Sequence, residues 1–266
     1  MLRFKSFMMA AGAAILITAC ATSPTGRKQV LLYSDAQLAQ SGAQAFSAMK
    51  QETPISKKPV TNQYVQCIAD KIIAQLGPNA DTDEWELVVF ESDQVNAFAL
   101  PGKKIGVYTG LLNVAENQDQ VATVIGHEVG HVLAQHGNER MSQSTLIGIT
   151  QEAVNVALQT NDVAQSGPIM AALGLGAQLG VALPFSRAHE SEADLIGLDL
   201  MSKAGFDPRQ SVNLWQNMNA ASGGQRQLEM LSTHPAPETR IKDLQANMGP
   251  ALAQYNQVSN KPNCRP

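Results

Sequence analysis

The stretch HEVGH at residues 127–131 combines two side chains that bind metals with one that accepts protons. His127 and His131 are four residues apart, so on a helix both imidazoles lie on one face and can bind the same ion. Glu128 follows the first histidine, where its carboxylate can reach a metal-bound water and act as a general base. Two histidines can also have this spacing by chance. The interpretation therefore depends on a third ligand and on the elements that carry it.

A catalytic zinc site has three protein ligands and one open position. A histidine shortly after the motif is excluded as the third ligand, because Ala134 and Gly137 stand where that pattern requires glycine and histidine. The later segment HESEADLIGLDLM, residues 189–201, supplies carboxylates at helical spacing instead. Within it, Glu190 is the candidate third ligand of a single Zn²⁺ ion.

The other polar residues of this segment are predicted to have different environments. Asp194 lies one turn beyond Glu190, where it can accept a hydrogen bond from the distal nitrogen of a liganding histidine. Glu192 is on another face and is predicted to be solvated. His189 is predicted to be exposed or to lie behind the ligands, because adjacent helical residues point about 100° apart.

Hydrophobic periodicity predicts a helix around the histidine pair. Asn117 is a favourable N-cap, Asp119 falls in the first turn, and apolar residues repeat on one side. The helix is predicted to run to about His136 and to end at Gly137. Gly130 lowers the stability of this helix, and its missing side chain allows another backbone to approach closely.

The segments before this helix predict a small sheet preceded by two helices. Apolar residues recur at helical spacing over 34–50 and 62–76. Three β-rich runs follow, and the last two flank Pro101–Gly102, a dipeptide suited to a type II turn; the runs are WELVVF (85–90), VNAFAL (95–100) and KIGVYT (104–109). The predicted fold class is α+β, predominantly helical, with a hairpin beside the histidine helix.

Composition limits the function classes. The chain has 266 residues, of which 44% are hydrophobic, enough for a sizeable core. Its formal net charge of −4 shows no basic excess, so nucleic acid is not an expected partner. No segment of about 20–50 residues repeats, which argues against a solenoid.

The N-terminus has the pattern of an export signal. A positively charged start and an apolar run predict a secretory signal over residues 1–19, with a short membrane anchor as the alternative. The sequence ITAC at 17–20 resembles a bacterial lipobox, which implies cleavage before Cys20 and lipid attachment to it. The acyl chains would hold the protein at a membrane surface. In enteric-type bacteria, Ala21 after this cysteine favours the outer membrane, at its periplasmic face.

Cys67 and Cys264 remain once Cys20 is lipidated. Export into an oxidising compartment favours a disulfide between them. A buried Cys67 with a free thiol at Cys264 is the alternative, and the spacing does not decide between the two.

Four motifs in order give the chain a resemblance to a known family. HEVGH, ESEAD (190–194), STHPAPETRI (232–241) and the upstream NAFALPG (96–102) resemble the zinc peptidase family of HtpX and the CAAX prenyl protease, and within it periplasmic lipoprotein peptidases. The resemblance implies a zincin-like, gluzincin fold. The predicted boundaries are a tether over 20–33, a metallopeptidase domain over 34–250 and a tail over 251–266.

The resemblance also implies roles for individual residues. The matching zinc ligands are His127, His131 and Glu190, with Glu128 as the base and Asp194 as the carboxylate behind a ligand. His234 and Arg240 match a histidine and an arginine placed six residues apart near the metal. In some relatives that histidine caps the metal and holds the enzyme inactive.

Substrate is expected to add as a strand to the edge formed by NAFAL, with Asn96 and Phe98 beside it; simple sheet packing is the alternative for both. Unfolded or misassembled envelope proteins are the implied substrates, and the outer-membrane assembly machinery is a possible partner. Two other functions stay open: an assembly factor with a structural or latent zinc site, and a zinc hydrolase of non-peptide substrates. The apolar run 169–183 is predicted to be a buried core helix.

Overall fold

The structure is a computed structural model, and it describes residues 20–77, 84–160, 186–222, 229–234 and 238–266. The predicted signal at 1–19 and the predicted core helix at 169–183 lie outside these residues. Helices dominate the described residues and accompany small sheets, so the predicted α+β, predominantly helical class is confirmed.

The helices are numbered in chain order: α1 (Asp35–Glu52), α2 (Pro59–Ile73), α3 (Gln118–Leu133), α4 (His136–Thr160), α5 (Arg187–Ala204), α6 (Gln210–Ser222), α7 (Glu229–Thr233), α8 (Glu238–Ala246) and α9 (Met248–Gln257). Short 3₁₀ turns follow α2 at Ala74–Leu76 and precede α3 at Thr109–Asn113. No helix in the part of the chain that the structure describes is long and apolar enough to cross a membrane.

The chain forms two compact units. Of the described residues, the larger unit comprises 35–77, 84–134, 186–222, 229–234 and 238–266, and the smaller unit comprises 20–34 and 135–160.

The sheet of the larger unit has three strands in the order β3–β5–β4: β3 (Glu86–Phe90), β4 (Ala97–Leu100) and β5 (Lys104–Tyr108). β4 and β5 form the predicted hairpin, and β3 pairs with β5 in parallel. Gly102 in the turn has φ +80°, the left-handed value that a type II turn requires at this position. The turn packs on α1, where a Cβ added to Gly42 would lie 2.0 Å from the Pro101 carbonyl oxygen.

The two faces of this sheet pack against different helices, because side chains alternate along a strand. Val89, Ile105 and Val107 are fully or almost fully buried in the main core, together with apolar residues of α2 and α3. Phe90 and Tyr108 face the other way and form an aromatic cluster with Phe46 of α1. The sheet therefore lies between α1 and the helix that carries the histidine pair.

The two outer edges of the sheet differ. Beside β3, the N–H of Ser56 donates to the Val89 carbonyl at 2.8 Å, and the N–H of Glu91 donates to the Pro54 carbonyl at 2.7 Å. Among the described residues, β4 has a strand neighbour, β5, on one side only. β4 is therefore the edge to which an extended segment could still add.

Helices α3 and α5 pack with their backbones almost in contact. A Cβ added to Gly197 would lie 2.7 Å from the His127 amide nitrogen, and one added to Gly130 would lie 2.8 Å from the Ala193 carbonyl oxygen. Real Cβ atoms do not approach backbone atoms this closely, so only glycine fits at these positions. The contact brings the segment that carries the histidines against the segment that carries Glu190 and Asp194.

The helix around the histidine pair is shorter than predicted. The Asn117 side chain caps its start by accepting from the N–H groups of Asp119 and Gln120, both at 3.0 Å, as expected from the sequence. The helix ends at Leu133, and Gln135 then adopts a left-handed conformation with φ +53°. Gly137 lies inside α4. The prediction assigned the break to glycine, whereas a non-glycine residue takes the left-handed conformation two positions earlier.

The smaller unit contains an ordered hairpin where a tether is predicted. β1 (Cys20–Thr22) and β2 (Lys28–Val30) pair antiparallel. Arg27 donates to both carboxylate oxygens of Glu139 in α4, at 2.7 and 2.6 Å. The N–H of Leu32 donates to the Ser142 hydroxyl at 2.8 Å. Hydrogen bonds therefore hold the segment 20–33 against α4.

The C-terminal tail is attached to the larger unit. Cys67 and Cys264 form a disulfide with a Cα–Cα distance of 5.8 Å. The Gln118 side chain accepts from the Cys264 N–H at 2.8 Å and donates to the Pro262 carbonyl at 2.9 Å. The tail thus connects α2 with the first residue of α3.

Candidate metal centre

Four buried side chains with metal-binding atoms meet between α3 and α5. They are His127, His131, Glu190 and His234, and one candidate ligand atom from each lies within 4.8 Å of the others. His127 and His131 belong to α3 and Glu190 to α5, whereas His234 directly follows the short helix α7. The sequence predictions of the histidine pair, Glu190 and His234 thus refer to residues that the fold brings together.

The three predicted ligands converge on one point. The Nε2 atoms of His127 and His131 are 3.0 Å apart. The Nε2 atom of His127 lies 3.4 Å from Oε2 of Glu190, and the Nε2 atom of His131 lies 3.4 Å from Oε1 of the same carboxylate. Burial lowers the pKa of His131 well below its usual range, which leaves the imidazole neutral, as a metal ligand must be.

Asp194 and Arg240 support the ligands from behind. The Nδ1 atom of His127 lies 2.9 Å from an Asp194 oxygen, which directs the Nε2 lone pair of His127 toward the other ligands. Arg240 donates to both Asp194 oxygens at 2.6 Å and pairs with Glu190 at 2.8 Å. Burial opposes the ionisation of Asp194, but the charge of Arg240 outweighs it and holds the pKa of Asp194 below its usual range.

Arg240 is itself held by an aromatic side chain. It is 1% exposed, and its guanidinium carbon lies 3.9 Å from the centre of the Trp215 ring. The Trp215 ring also contacts His127 edge-on, with the ring centres 6.2 Å apart. The sequence reasoning missed Trp215, because a tryptophan in an apolar helical segment has the pattern of an ordinary core residue.

Glu128 is 2% exposed and points into the same site. One carboxylate oxygen accepts a hydrogen bond from the main-chain N–H of Ala99 at 3.1 Å. The other oxygen has no hydrogen-bond partner among the described residues, and the Nε2 atom of His234 lies 3.6 Å from it. Burial is the main cause that raises the pKa of Glu128 above its usual range.

His234 lies close to a side chain of each of the two helices, α3 and α5. Its Nδ1 atom is 3.1 Å from a Glu190 oxygen and 3.3 Å from the Nε2 atom of His127. The main-chain N–H of His234 donates to the Met230 carbonyl at 2.8 Å, and the main-chain N–H of Met230 donates to the Val95 carbonyl at 3.2 Å. The loop before β4 therefore supports the segment that carries His234.

One prediction for α5 is wrong and another is narrowed. Glu192, predicted to be solvated, is 4% exposed. His189 is buried, so the exposed one of its two predicted environments is excluded. The reason is that α5 packs against α2, α3, α8 and α9, so little of its surface faces solvent. The prediction for Glu192 rested on its lying on another face than Glu190, and that face is packed as well.

The predicted substrate residues and the lipidation residue have clear locations. The Asn96 side chain accepts from the N–H of Ala97 at 3.0 Å. Phe98 packs in the aromatic cluster, with its ring centre 6.2 Å from that of Phe46 and 5.9 Å from that of Tyr108. Cys20 is exposed at the start of β1. That Asn96 and Phe98 lie beside a substrate stays a prediction.

A scan against known families gives the class of protein. The chain matches peptidase family M48 over residues 59–248, and it belongs to this family. The family resemblance predicted from the motifs is thereby confirmed, and the histidine–glutamate cluster agrees with a zincin-like metallopeptidase domain.

The matches to individual relatives cover only part of each relative's length. The chain is 37% identical over 186 residues to the mitochondrial metalloendopeptidase OMA1 of Schizosaccharomyces pombe. This match covers 70% of this chain and 52% of that protein. The chain is 43% identical over 176 residues to the protein of the same name from Arabidopsis thaliana, covering 65% and 34%. It is 29% identical over 205 residues to the beta-barrel assembly-enhancing protease of Yersinia pestis, covering 73% and 40%. The chain thus spans about half or less of these relatives.

Proposed function

We propose that the protein is a zinc metalloendopeptidase in which His127, His131 and Glu190 hold the ion. The observation that carries the proposal is the buried convergence of their ligand atoms, with separations of 3.0 and 3.4 Å. Tetrahedral zinc with ligand distances of about 2.0–2.1 Å needs ligand atoms about 3.4 Å apart, so the donor set fits zinc. Two imidazoles and one carboxylate also match the ligand types of catalytic zinc sites.

The protein groups around the ion supply the remaining chemistry. Zinc bound there would lower the pKa of a coordinated water and polarise the scissile carbonyl. Glu128 takes a proton from the attacking water and later delivers it to the departing amine. His234 donates from Nε2 to the negative charge that develops on the carbonyl oxygen. Asp194 and Arg240 keep His127 and Glu190 in place through the contacts described above.

Substrate pairs with the outer edge of β4. Main-chain pairing there requires an extended segment and tolerates many sequences. The hydrogen bond from the Ala99 N–H of this edge to Glu128, at 3.1 Å, supports the proposal, because it places the edge next to the proposed base. Asn96 and Phe98 border the pairing site along the chain.

The primary test is Glu128→Gln. The amide cannot accept the proton, whereas the ligands are unchanged, so we expect zinc content to persist and casein hydrolysis to fall by at least about 10³-fold. Zinc per protein and the rate of casein cleavage are measured together. Glu152→Gln, which removes an exposed carboxylate on α4, serves as the control. A Glu128→Gln rate equal to that of the native protein would overturn the proposed mechanism.

We further propose that the enzyme acts on unfolded or misassembled envelope proteins from the periplasmic face of a membrane, and that Cys20 carries the lipid. The lipobox-like ITAC sequence and the relative named for beta-barrel assembly support this proposal. Relatives named as mitochondrial make an independent test of location necessary.

The lipid anchor predicts that metabolic palmitate labelling marks the protein and that Cys20→Ser abolishes the label. The thioether that carries the acyl chains needs the cysteine sulfur, which serine lacks. The released variant should move from the membrane fraction to the soluble periplasmic fraction while keeping peptidase activity. Labelling that persists in Cys20→Ser contradicts the anchor, and Cys264→Ser is the control for loss of a cysteine elsewhere.

A second function has one observation in its favour. His234 lies among the candidate ligand atoms, and a fourth protein ligand is typical of closed, structural zinc sites. In that case the protein would be an assembly factor with a latent zinc site. Replacement of His234 by alanine separates the two functions.

A further inference from the structure

The outward-facing main-chain groups of β4 follow from its pairing with β5. Phe98 is paired with Gly106, and the N–H of Tyr108 donates to the Asn96 carbonyl at 3.1 Å. Inward and outward groups alternate along an antiparallel strand. The N–H and C=O groups of Ala97 and Ala99 are therefore directed away from β5, toward any strand that is added.

Both outward N–H groups are bonded to side chains, but to side chains of different kinds. The N–H of Ala97 donates to its neighbour Asn96 at 3.0 Å, which is a local contact within the strand. The N–H of Ala99 donates to Glu128 of α3 at 3.1 Å. One oxygen of this buried carboxylate has Ala99 as its donor, and the other has no hydrogen-bond partner among the described residues.

We propose that the main-chain N–H of Ala99 is a positioning group that holds Glu128 until substrate arrives, and that a substrate strand releases Glu128 by accepting this N–H with its own carbonyl. The inference rests on the proposed role of Glu128 as the base. An N–H group forms one strong hydrogen bond at a time, so the substrate carbonyl and the carboxylate compete for it. A buried carboxylate without a hydrogen-bond donor is unfavourable. Glu128 therefore accepts a hydrogen bond from the attacking water and then takes its proton.

This exchange couples binding to chemistry. A short peptide that reaches the metal but not Ala99 leaves Glu128 bonded to the strand. A longer peptide that pairs with Ala99 frees Glu128 and therefore raises kcat, in addition to lowering KM. A strand edge that only binds substrate would lower KM with peptide length and leave kcat unchanged.

The first test is amide hydrogen exchange in the metal-loaded protein, which requires no activity. Glu128→Ala removes the acceptor, so exchange at Ala99 should become roughly 10- to 100-fold faster, as expected for a lost hydrogen bond to a charged group. Exchange at Ala97 should not change, and unchanged exchange at Ile105 and Val107 reports an intact sheet. Unaltered exchange at Ala99 in this variant overturns the proposal.

The second test compares Ala99→Pro with Ala97→Pro on a series of peptides of increasing length. Proline is tolerated on an edge strand where its missing N–H faces away from the ladder. We expect kcat of the native protein to rise about tenfold or more with length, and Ala99→Pro to lose this rise. Ala97→Pro should keep the rise with a higher KM.

The outcomes of these tests are distinguishable. A rise in kcat that persists in Ala99→Pro, or that is lost equally in both variants, contradicts the special role of Ala99, as does a native kcat that is independent of length. If the native protein cleaves no peptide of any length, the proposed peptidase function fails, and the exchange experiment still decides whether Ala99 holds Glu128.

Discussion

At the scale of single residues, the metal centre depends on one buried cation. Arg240 binds Asp194 through two hydrogen bonds and pairs with Glu190, so one guanidinium orients a proposed ligand and the carboxylate behind another proposed ligand. The carboxylates of Asp194 and Glu190 both contact this guanidinium, and they would repel each other without its positive charge. The Trp215 ring packs against the planar guanidinium and restricts its movement; the guanidinium carbon lies 3.9 Å from the ring centre.

His234→Ala tests whether this histidine promotes the reaction or blocks it. As a donor to the developing negative charge, His234 should contribute to kcat, and its loss should lower kcat about 10²- to 10³-fold with little change in KM. Zinc content should stay near one ion per chain. Steady-state kinetics and metal analysis are the measurements, with the neighbouring Thr233→Ala as the control. An increase in activity on removing His234 instead supports a capped, latent site.

The side chains that the fold brings together at the candidate site could be predicted from the sequence, because the spacing of HEVGH and of ESEAD reports directly on helix faces. Two contributions could not. Ala99 acts through a main-chain N–H, which every residue except proline has, so its side chain carries no signal. Trp215 meets Arg240 only after α6 and α8 pack together, and no local pattern reports that contact.

At the scale of elements, the centre depends on how closely α3 and α5 approach. Glycines at 126 and 130 on one helix face Gly197 and Ala193 on the other, and the backbones nearly touch. The proposed ligands come from both helices. Their separation therefore sets the distance between the histidine nitrogens and the Glu190 carboxylate.

Gly197→Ala should separate the two helices and weaken zinc binding at least tenfold. The added Cβ would lie 2.7 Å from the His127 amide nitrogen and 2.8 Å from the Gly126 carbonyl carbon, and neither backbone atom can move alone. Overpacking of this kind typically costs about 1–3 kcal/mol in the free energy of unfolding. Zinc competition titration and urea unfolding measure the two effects.

Gly148→Ala on α4 is the matched control for this substitution. Nothing lies within 4 Å of a Cβ added there, and alanine stabilises a helix interior by roughly 0.5–1 kcal/mol relative to glycine. Native zinc affinity in Gly197→Ala is the result that contradicts a role of helix separation in metal binding.

The boundaries of helices and strands could be predicted where the local side-chain pattern determines them. They could not be predicted where a contact with a distant part of the chain determines them. The strands of the sheet agree with the predicted runs to within about two residues. The end of α3 depends on the left-handed conformation of Gln135, for which the sequence has no glycine signal. The β1–β2 hairpin depends on Arg27 and Glu139, which are 112 positions apart, and short strands carry little periodicity.

At the scale of the whole molecule, the disulfide joins positions 67 and 264, with a sequence separation of 197. It closes a loop that contains the sheet, the metal centre and both helices that carry the ligands. The two hydrogen bonds between Gln118 and the tail lie next to it. The tail therefore constrains the unfolded chain over most of its length.

Cys264→Ser should lower the free energy of unfolding by up to about 5 kcal/mol, the chain-entropy value for a loop of this size. The loss arises mainly because the unfolded chain regains its freedom. Urea unfolding of the oxidised protein is the measurement, and Cys20→Ser in the soluble protein is the control, because Cys20 forms no disulfide. Equal unfolding midpoints for native and Cys264→Ser proteins would show that the bridge does not form in solution.

The open edge of β4 has a consequence for how targets are selected. A segment can pair with Ala97 and Ala99 only after it has given up its own internal hydrogen bonds. The cleavage rate of a protein should then follow the population of its locally opened state, and each additional 1.4 kcal/mol of opening free energy should slow cleavage about tenfold. Selection of this kind measures conformational stability and largely disregards sequence. An enzyme built this way spares a correctly assembled neighbour and cuts the same polypeptide when it has failed to fold.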